Sequence, residues 1–203
     1  MKLICQQPYF MDFSKTRLGE CIAKSSAKTA NAPLLVTSGE LVSGTHLGTK
    51  TGFTKTHNFR MLLNPFLATG ERIAWDNYRF TATLLLDHWL PQRTETPAWS
   101  GLHLFARYNT ENDLYVASLR KDGLIVIKKK IGGEYTTLAS TKAELMSGKW
   151  YVLTFQVENA NLLFFVDGVL VLQAKDADLS SGTSGVRFDY AAVHVKDLRV
   201  HHY

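Results

Sequence analysis

Two polar side chains on one alternating run carry the chemistry. In Ser100–Thr110, Leu102, Leu104 and Ala106 fall on one face, and His103, Phe105 and Arg107 on the other. Arg79, Tyr115, Lys128 and Lys130 sit on neighbouring strand-like runs. An imidazole or phenol beside a guanidinium suits proton abstraction next to a uronate carboxylate. The cation offsets the acid's charge, and the base takes the proton. In that reading His103 or Tyr115 is the base and Arg79 or Arg107 neutralises the carboxylate. The same groups suit binding without chemistry. His103, Arg107 and Lys130 would bond sugar hydroxyls or an acid, while Trp89, Trp99 and Tyr115 stack on sugar faces. A third reading makes them the solvent side of a half-buried sheet.

Other chemistries fit less well. Glycoside hydrolysis needs two carboxylates facing each other across the scissile bond. Here Asp87, Glu111, Asp113, Asp122, Asp167, Asp176 and Asp178 lie mostly at turns. The histidines are scattered, and His201-His202 would point to opposite sides of a strand, which argues against zinc. Lys128-Lys129-Lys130 alternates faces on a strand and forms no single basic patch, so no nucleic-acid partner is expected.

The elements that must position these residues are strands. Asn77–Asp87, Ser100–Ile131, Glu134–Ser140, Lys149–Val157, Asn161–Val166 and Val169–Gln173 alternate or run apolar, with Asp122-Gly123 and Asp167-Gly168 as hairpin signals. Asp122-Gly123 predicts a type I′ turn. Val186–Tyr190 and Ala192–Val200 close the set. Leu90–Ser100, with Pro91 and Pro97, is a loop displaying aromatics. The capping pattern Thr141–Glu144 before Leu145-Met146, with Gly148 as a stop, allows one short helical turn. Residues 1–70 are less regular. Lys2–Cys5, Gly39–Gly44 and Asn58–Leu63 are short strands, Phe10–Ser14 is a turn, and Lys15–Pro33 and His46–Thr56 are loops. Many short strands and no long amphipathic helix predict an all-β, two-sheet antiparallel jelly-roll sandwich. It forms a single domain over residues 1–203, with the main sandwich in 75–203.

Composition agrees with an ordinary globular chain. Of 203 residues, 45% are hydrophobic and 20% charged, and the formal charge of +5 is only mildly basic. No apolar run reaches the length of a membrane span, so no membrane partner is expected. The opening MKLICQQPYF is not a signal peptide. That leaves either an intracellular protein or one whose leader has been removed. Cys5 and Cys21 could be bonded or free. Oligomeric state is not readable.

The succession Trp75-Asp76-Asn77-Tyr78, Gly101-Leu102…Arg107-Tyr108, Asn112-Asp113-Leu114-Tyr115…Leu119-Arg120-Lys121-Asp122-Gly123, Gly148-Lys149-Trp150-Tyr151 and Val166-Asp167-Gly168 resembles the concanavalin A-like lectin/glucanase superfamily. It is most similar to its laminin G-like and carbohydrate-binding jelly rolls. The resemblance spans roughly residues 70–203, and Asp12-Phe13-Ser14 resembles the usual opening turn. It implies a lectin-like groove on the concave sheet for a polysaccharide or oligosaccharide, an anionic one given the cations above. Further implications are an extracellular or periplasmic site and, at Asp12 and Asp197, a structural Ca²⁺ with no other cofactor required. The E-x-D-x-E pattern of the superfamily's glucanases is absent, as are the R-S/T-E-L-R, Q-I/V-H and Y-F-K-A-G motifs of well-known alginate lyases. A polysaccharide lyase therefore stands as the alternative to a binding protein, and a laminin G-like protein-interaction domain behind both.

Overall fold

The structure is a computed structural model that describes residues 9–12, 21–24, 34–63, 74–91 and 95–203. Those residues are all-β, with β1 (Tyr9–Asp12), β2 (Cys21–Lys24), β3 (Leu34–Ser38), β4 (Glu40–His46), β5 (Thr49–Leu63), β6 (Tyr78–Trp89) and β7 (Gly101–Thr110). They continue with β8 (Asp113–Arg120), β9 (Leu124–Ile131), β10 (Glu134–Lys142), β11 (Trp150–Glu158), β12 (Asn161–Val166), β13 (Val169–Lys175) and β14 (Thr183–His202). The order β10-β9-β8-β7-β14-β6-β11-β12-β13 is antiparallel throughout. The front layer is β7–β10 with the first half of β14, and the back layer is β6 and β11–β13 with its second half. Along its other edge β14 carries β5, then β1. This is the expected jelly-roll sandwich, and no helix long and apolar enough to cross a membrane occurs among the described residues.

Alternation decides which face each strand buries. Leu102, Leu104, Ala106, Tyr115, Ala117, Leu119, Ile125 and Ile127 of the front layer share one cluster with Tyr78, Phe80, Leu84, Tyr151, Leu153, Phe155, Leu162 and Phe164 of the back. Each leucine, isoleucine and phenylalanine among them contributes about 1.5–3 kcal/mol by its burial. On the front layer's outer face, Phe105, Val116, Tyr108, Leu114 and Leu62 form a smaller apolar cluster.

Several sequence expectations are corrected. His46–Thr56 is not a loop. Leu47-Gly48 is a tight turn with φ of 47° and 80°, and from Thr49 the chain runs as β5 between β4 and β14. Thr51, Gly52 and Thr54 are buried there while Lys50 and Lys55 face out, so backbone pairing on both edges replaces apolar patterning as the ordering force. Phe10–Asp12 pairs with β14 as strand rather than turn. Cys21–Lys24 is a strand on β4, inside the segment expected to be loop. The two closing strands are one. The Asp122-Gly123 connection has only Gly123 at positive φ (74°), closing a three-residue loop in place of the two-residue type I′ turn. Asp167-Gly168, at 52° and 82°, does have the two positive φ values of that turn. No helical turn forms at 141–148. Thr141 and Lys142 stay in the ladder with β9, and the Met146 N–H donates to the Tyr151 hydroxyl. The expected strand Lys2–Cys5, with Cys5, lies outside the described residues.

Arg107 ties the two layers together. The pairing of β7 with β8 is irregular between Ala106 and Thr110, and Arg107 adopts φ 45° there. This turns its side chain away from the outer face. Its backbone N–H donates to the Tyr78 hydroxyl of the back layer (2.7 Å). Its guanidinium donates to the Asp76 carbonyl from Nε (3.1 Å) and Nη2 (2.8 Å), and to the Leu179 carbonyl from Nη1 (2.7 Å). Gly182 lies against it, where a Cβ would come 2.4 Å from the Arg107 carbonyl carbon. Arg107→Met removes the donors and leaves part-buried carbonyls of Asp76 and Leu179 without them. The expected loss is about 2–4 kcal/mol in urea unfolding with an unchanged slope. A loss below about 1 kcal/mol would show that water replaces the guanidinium.

Candidate functional site

The outer face of the front layer carries a pocket of about 380 Å³. Its floor follows from the pleat. With Tyr115, Ala117 and Leu119 turned into the core, Val116, Ser118 and Arg120 of β8 must face out. They are joined by His103 and Phe105 of β7 and by Val126 and Lys128 of β9. Arg187 and Asp189 of β14 form one wall, and Trp99 and Tyr135 stand at the rim. Trp99 is 43% exposed and Tyr135 49%. Both leave much of their ring surface at the mouth of the pocket, beside the cations that rest on them.

The polar floor is fixed in place. His103 Nδ1 lies 2.7 Å from Ser118 Oγ, its partner in the β7–β8 register. Arg187 Nε and Nη2 donate to the two Asp189 carboxylate oxygens (2.8 and 2.9 Å), and its guanidinium lies 5.6 Å from the Trp99 ring. Asp189 Oδ2 is 3.4 Å from His103 Nε2, within ion-pair distance. No hydrogen bond is satisfied there, and Nε2 is buried without an acceptor or donor among the described residues. Arg120 Nε is in the same condition, while its Nη2 pairs with Asp122. Lys128 Nζ lies 5.8 Å from the Tyr135 ring centroid.

Burial holds His103 below its ordinary pKa, more strongly than the Asp189 contact lifts it, so the imidazole is neutral near pH 7. Burial alone would raise Asp189, but the close His103 imidazole and the hydrogen bonds from Arg187 hold it below the usual carboxylate range. Burial, then the nearby Arg120, lowers Lys128. The sequence Ser118–His103–Asp189 has the order of an acyl-transfer relay. However, β8 amides lie in the sheet plane and are taken by the ladder, so none points at Ser118 to form an oxyanion hole. The arrangement fixes donors and acceptors for a ligand.

Of the residues singled out from sequence, His103 and Trp99 meet in this pocket. Arg107 and Tyr115 do not join them. Arg107 is 2% exposed behind the sheet, and Tyr115 is fully buried, its hydroxyl on Asp176 (2.6 Å). Tyr115 faces the core because its register partner Ala106 does. Arg79 lies in the back layer, donating to Gln156. Trp89 packs against the core with Lys121 over its ring. Lys130 lies beside the pocket, donating to the Glu111 carbonyl and sitting over Tyr135. Asp12 and Asp197 are register partners. Asp197 pairs with Arg199, and the Asp12 side chain lies outside the described residues. No group of three or more His, Cys, Asp or Glu side chains placed to hold a metal ion occurs among the described residues. Sequence reasoning missed Ser118, Arg120, Tyr135, Arg187 and Asp189. The alternation Val116-x-Ser118-x-Arg120 against Tyr115, Ala117 and Leu119 was the available signal.

No family model matches the chain, and no curated protein does. Among solved structures it is similar to the carbohydrate binding module CBM66 from Bacillus subtilis, with a TM-score of 0.61, 16% identity, and coverage of 82% of this chain and 93% of that one. Galectin LEC-6 from Caenorhabditis elegans gives a TM-score of 0.51 and 19% identity over 78% of this chain and 100% of that one. The exoplasmic/lumenal domain of VIP36 in its Ca²⁺-bound form gives 0.61 and 8% over 92% and 89%. At these identities the likeness establishes the fold alone, a jelly roll of the kind seen in a carbohydrate binding module and a galectin.

The buried histidine makes stability depend on pH. The folded pKa of His103 lies below the unfolded value near 6.5, so the unfolded chain takes the proton first. Its effect is nil well above about pH 6.5, and stability falls as pH drops below that value. His194 and His202, also lowered by burial, act in the same sense. The depressed Asp189 adds stability that is present above about pH 4 and lost below it. Urea unfolding at pH 7.5 and 5.5 should show a shallower decline for His103→Gln than for the parent. Equal declines would assign the effect to the other two histidines.

Proposed function

We propose that the outer-face pocket binds a carbohydrate, and that the protein is a lectin-like recognition domain for a polysaccharide or oligosaccharide. One observation carries this reading. Two half-exposed aromatic rings, Trp99 and Tyr135, stand over a floor of polar side chains already locked in place: His103, Ser118, Arg187 and Asp189. Sugars need that combination, a flat apolar surface for ring C–H groups and preset partners for hydroxyls. A preset floor also lowers the ordering cost of binding. The fold shared with a carbohydrate-binding module and lectins supports it. So read, the protein acts where glycans are met, in an extracellular or periplasmic space.

Polysaccharide lyase activity is a second reading, with its residues reassigned. The pocket joins a neutral imidazole (His103), a phenol (Tyr135) and the cations Arg120, Lys128 and Arg187, the parts that elimination beside a uronate requires. Arg79, Arg107 and Tyr115 have no part in it.

Affinity electrophoresis against neutral and acidic polysaccharides, followed by calorimetry on the best ligand, tests the binding reading. Trp99→Ala should weaken binding about tenfold while the melting temperature stays put. Undiminished binding by that variant, or no binding across the panel, would remove the proposal and leave a protein-interaction role. Ultraviolet absorbance of an unsaturated product, followed in the same incubations, separates elimination from binding; a flat trace excludes the lyase.

A further inference from the structure

The cations of the pocket are unequally matched, and the mismatch says what the ligand carries. This inference rests on the carbohydrate-binding reading above. Arg187 is fully engaged with Asp189, both carboxylate oxygens taken. Arg120 gives one nitrogen to Asp122 and keeps a second, Nε, buried with no acceptor among the described residues. Lys128 forms no ion pair among the described residues, and its ammonium rests over the Tyr135 ring. His103 is neutral and offers an unpartnered Nε2. With Asp189 set against Arg187, and Asp122, outside the lining, set against Arg120, one positive charge stays uncompensated and one buried guanidinium N–H has no acceptor. Burial, reinforced by Arg120, already works against the charge on Lys128, so an anion between the two cations relieves both strains at once. Burying an unpaired donor is costly, and a bound acceptor removes that cost.

We propose that the pocket receives a sugar acid, with its carboxylate seated between Arg120 Nε and the Lys128 ammonium. His103, Ser118 and Asp189 then face the hydroxyls of the same unit, and Trp99 and Tyr135 cover its ring. The cavity, about 380 Å³, is at the small end of ligand pockets (roughly 300–1,000 Å³), which suits a short stretch of glycan.

Calorimetry on the whole chain tests this with three probes: a galacturonate trisaccharide, the same trisaccharide with its carboxyls reduced to alcohols, and a galactose trisaccharide bearing sulfate esters. The uronate should bind about tenfold or more tightly than its reduced counterpart, and added salt should shrink that margin. Lys128→Met should abolish the margin. Lys55→Met, the same charge change at an exposed site on β5, should retain it. Melting curves confirm that both variants fold. Equal binding of the uronate and reduced sugars, or a margin that survives in Lys128→Met, overturns this inference and leaves the carbohydrate reading standing. Preference for the sulfate ester overturns the carboxylate assignment. Binding of none of the three removes both readings together.

Discussion

The strand β14 is hydrogen-bonded along both edges, and the rest of the sandwich depends on that double pairing. Its first half lies between β7 and β5, its second between β6 and the succession of β5 and β1. The break between the halves falls at Tyr190, whose φ of 55° is left-handed and costs of order 1–2 kcal/mol for a residue with a side chain. That kink lets one strand serve two layers. It also sets the pocket wall. Arg187 and Asp189 stand just before the break, on a stretch paired on both sides, and Tyr190 itself meets Trp99 edge-on (6.2 Å). A wall built on a central strand cannot drift, and the position of Asp189 against His103 inherits that rigidity.

How much of this was written in the sequence differs between fold and site. From Trp75 onward, alternation and turn residues gave strands in nearly the right places, because most of them bury one face and leave the other wet. Asn58–Leu63 is legible as strand from its apolar residues, but the first part of β5 reads as loop because its buried positions hold Thr51, Gly52 and Thr54. They are strand only because β4 and β14 pair on either side, and no local window contains those partners. The site was half legible. His103 was found by its parity. Arg107 has the same parity in sequence, but the irregular pairing after Ala106 reverses its direction, and no residue there announces a bulge. Tyr115 was assigned to the wrong face because parity fixes only relative positions within a strand. Which alternate set faces the core is decided by the register with β7, a long-range fact. Arg187 and Asp189 come from a strand that returns about 80 residues later than β7, beyond any spacing argument.

The two layers handle polar burial differently. Behind the front sheet, the Arg107 guanidinium donates to backbone carbonyls from all three of its nitrogens and its backbone N–H donates to the Tyr78 hydroxyl, which holds the layers in place. At the loop before β14, Tyr115, Asp176 and Lys129 form a second closed set, with Lys129 reaching Asp176 at 2.7 Å and Asp178 beside it. On the outer face the accounts stay open, with Nε2 of His103 and Nε of Arg120 buried and unanswered. Ser100 Oγ and Ser184 Oγ are buried without a partner elsewhere among the described residues, but only in the pocket do two such nitrogens share one cavity, and that directs attention to it.

The place of β14 in the order of the strands bears on how the chain reaches this shape. It follows the thirteen other strands of the described residues, yet it supplies the seam between the layers. Until Thr183–His202 has left the ribosome, β7 and β6 each present a bare edge, and the hairpins β7–β10 and β11–β13 can form only as separate ribbons. Assembly therefore waits on contacts spanning more than a hundred residues, such as Ala192 with His88 and Val195 with Leu84. Chains of such topology acquire their native form slowly, and their half-made intermediates are the ones most prone to stick to one another.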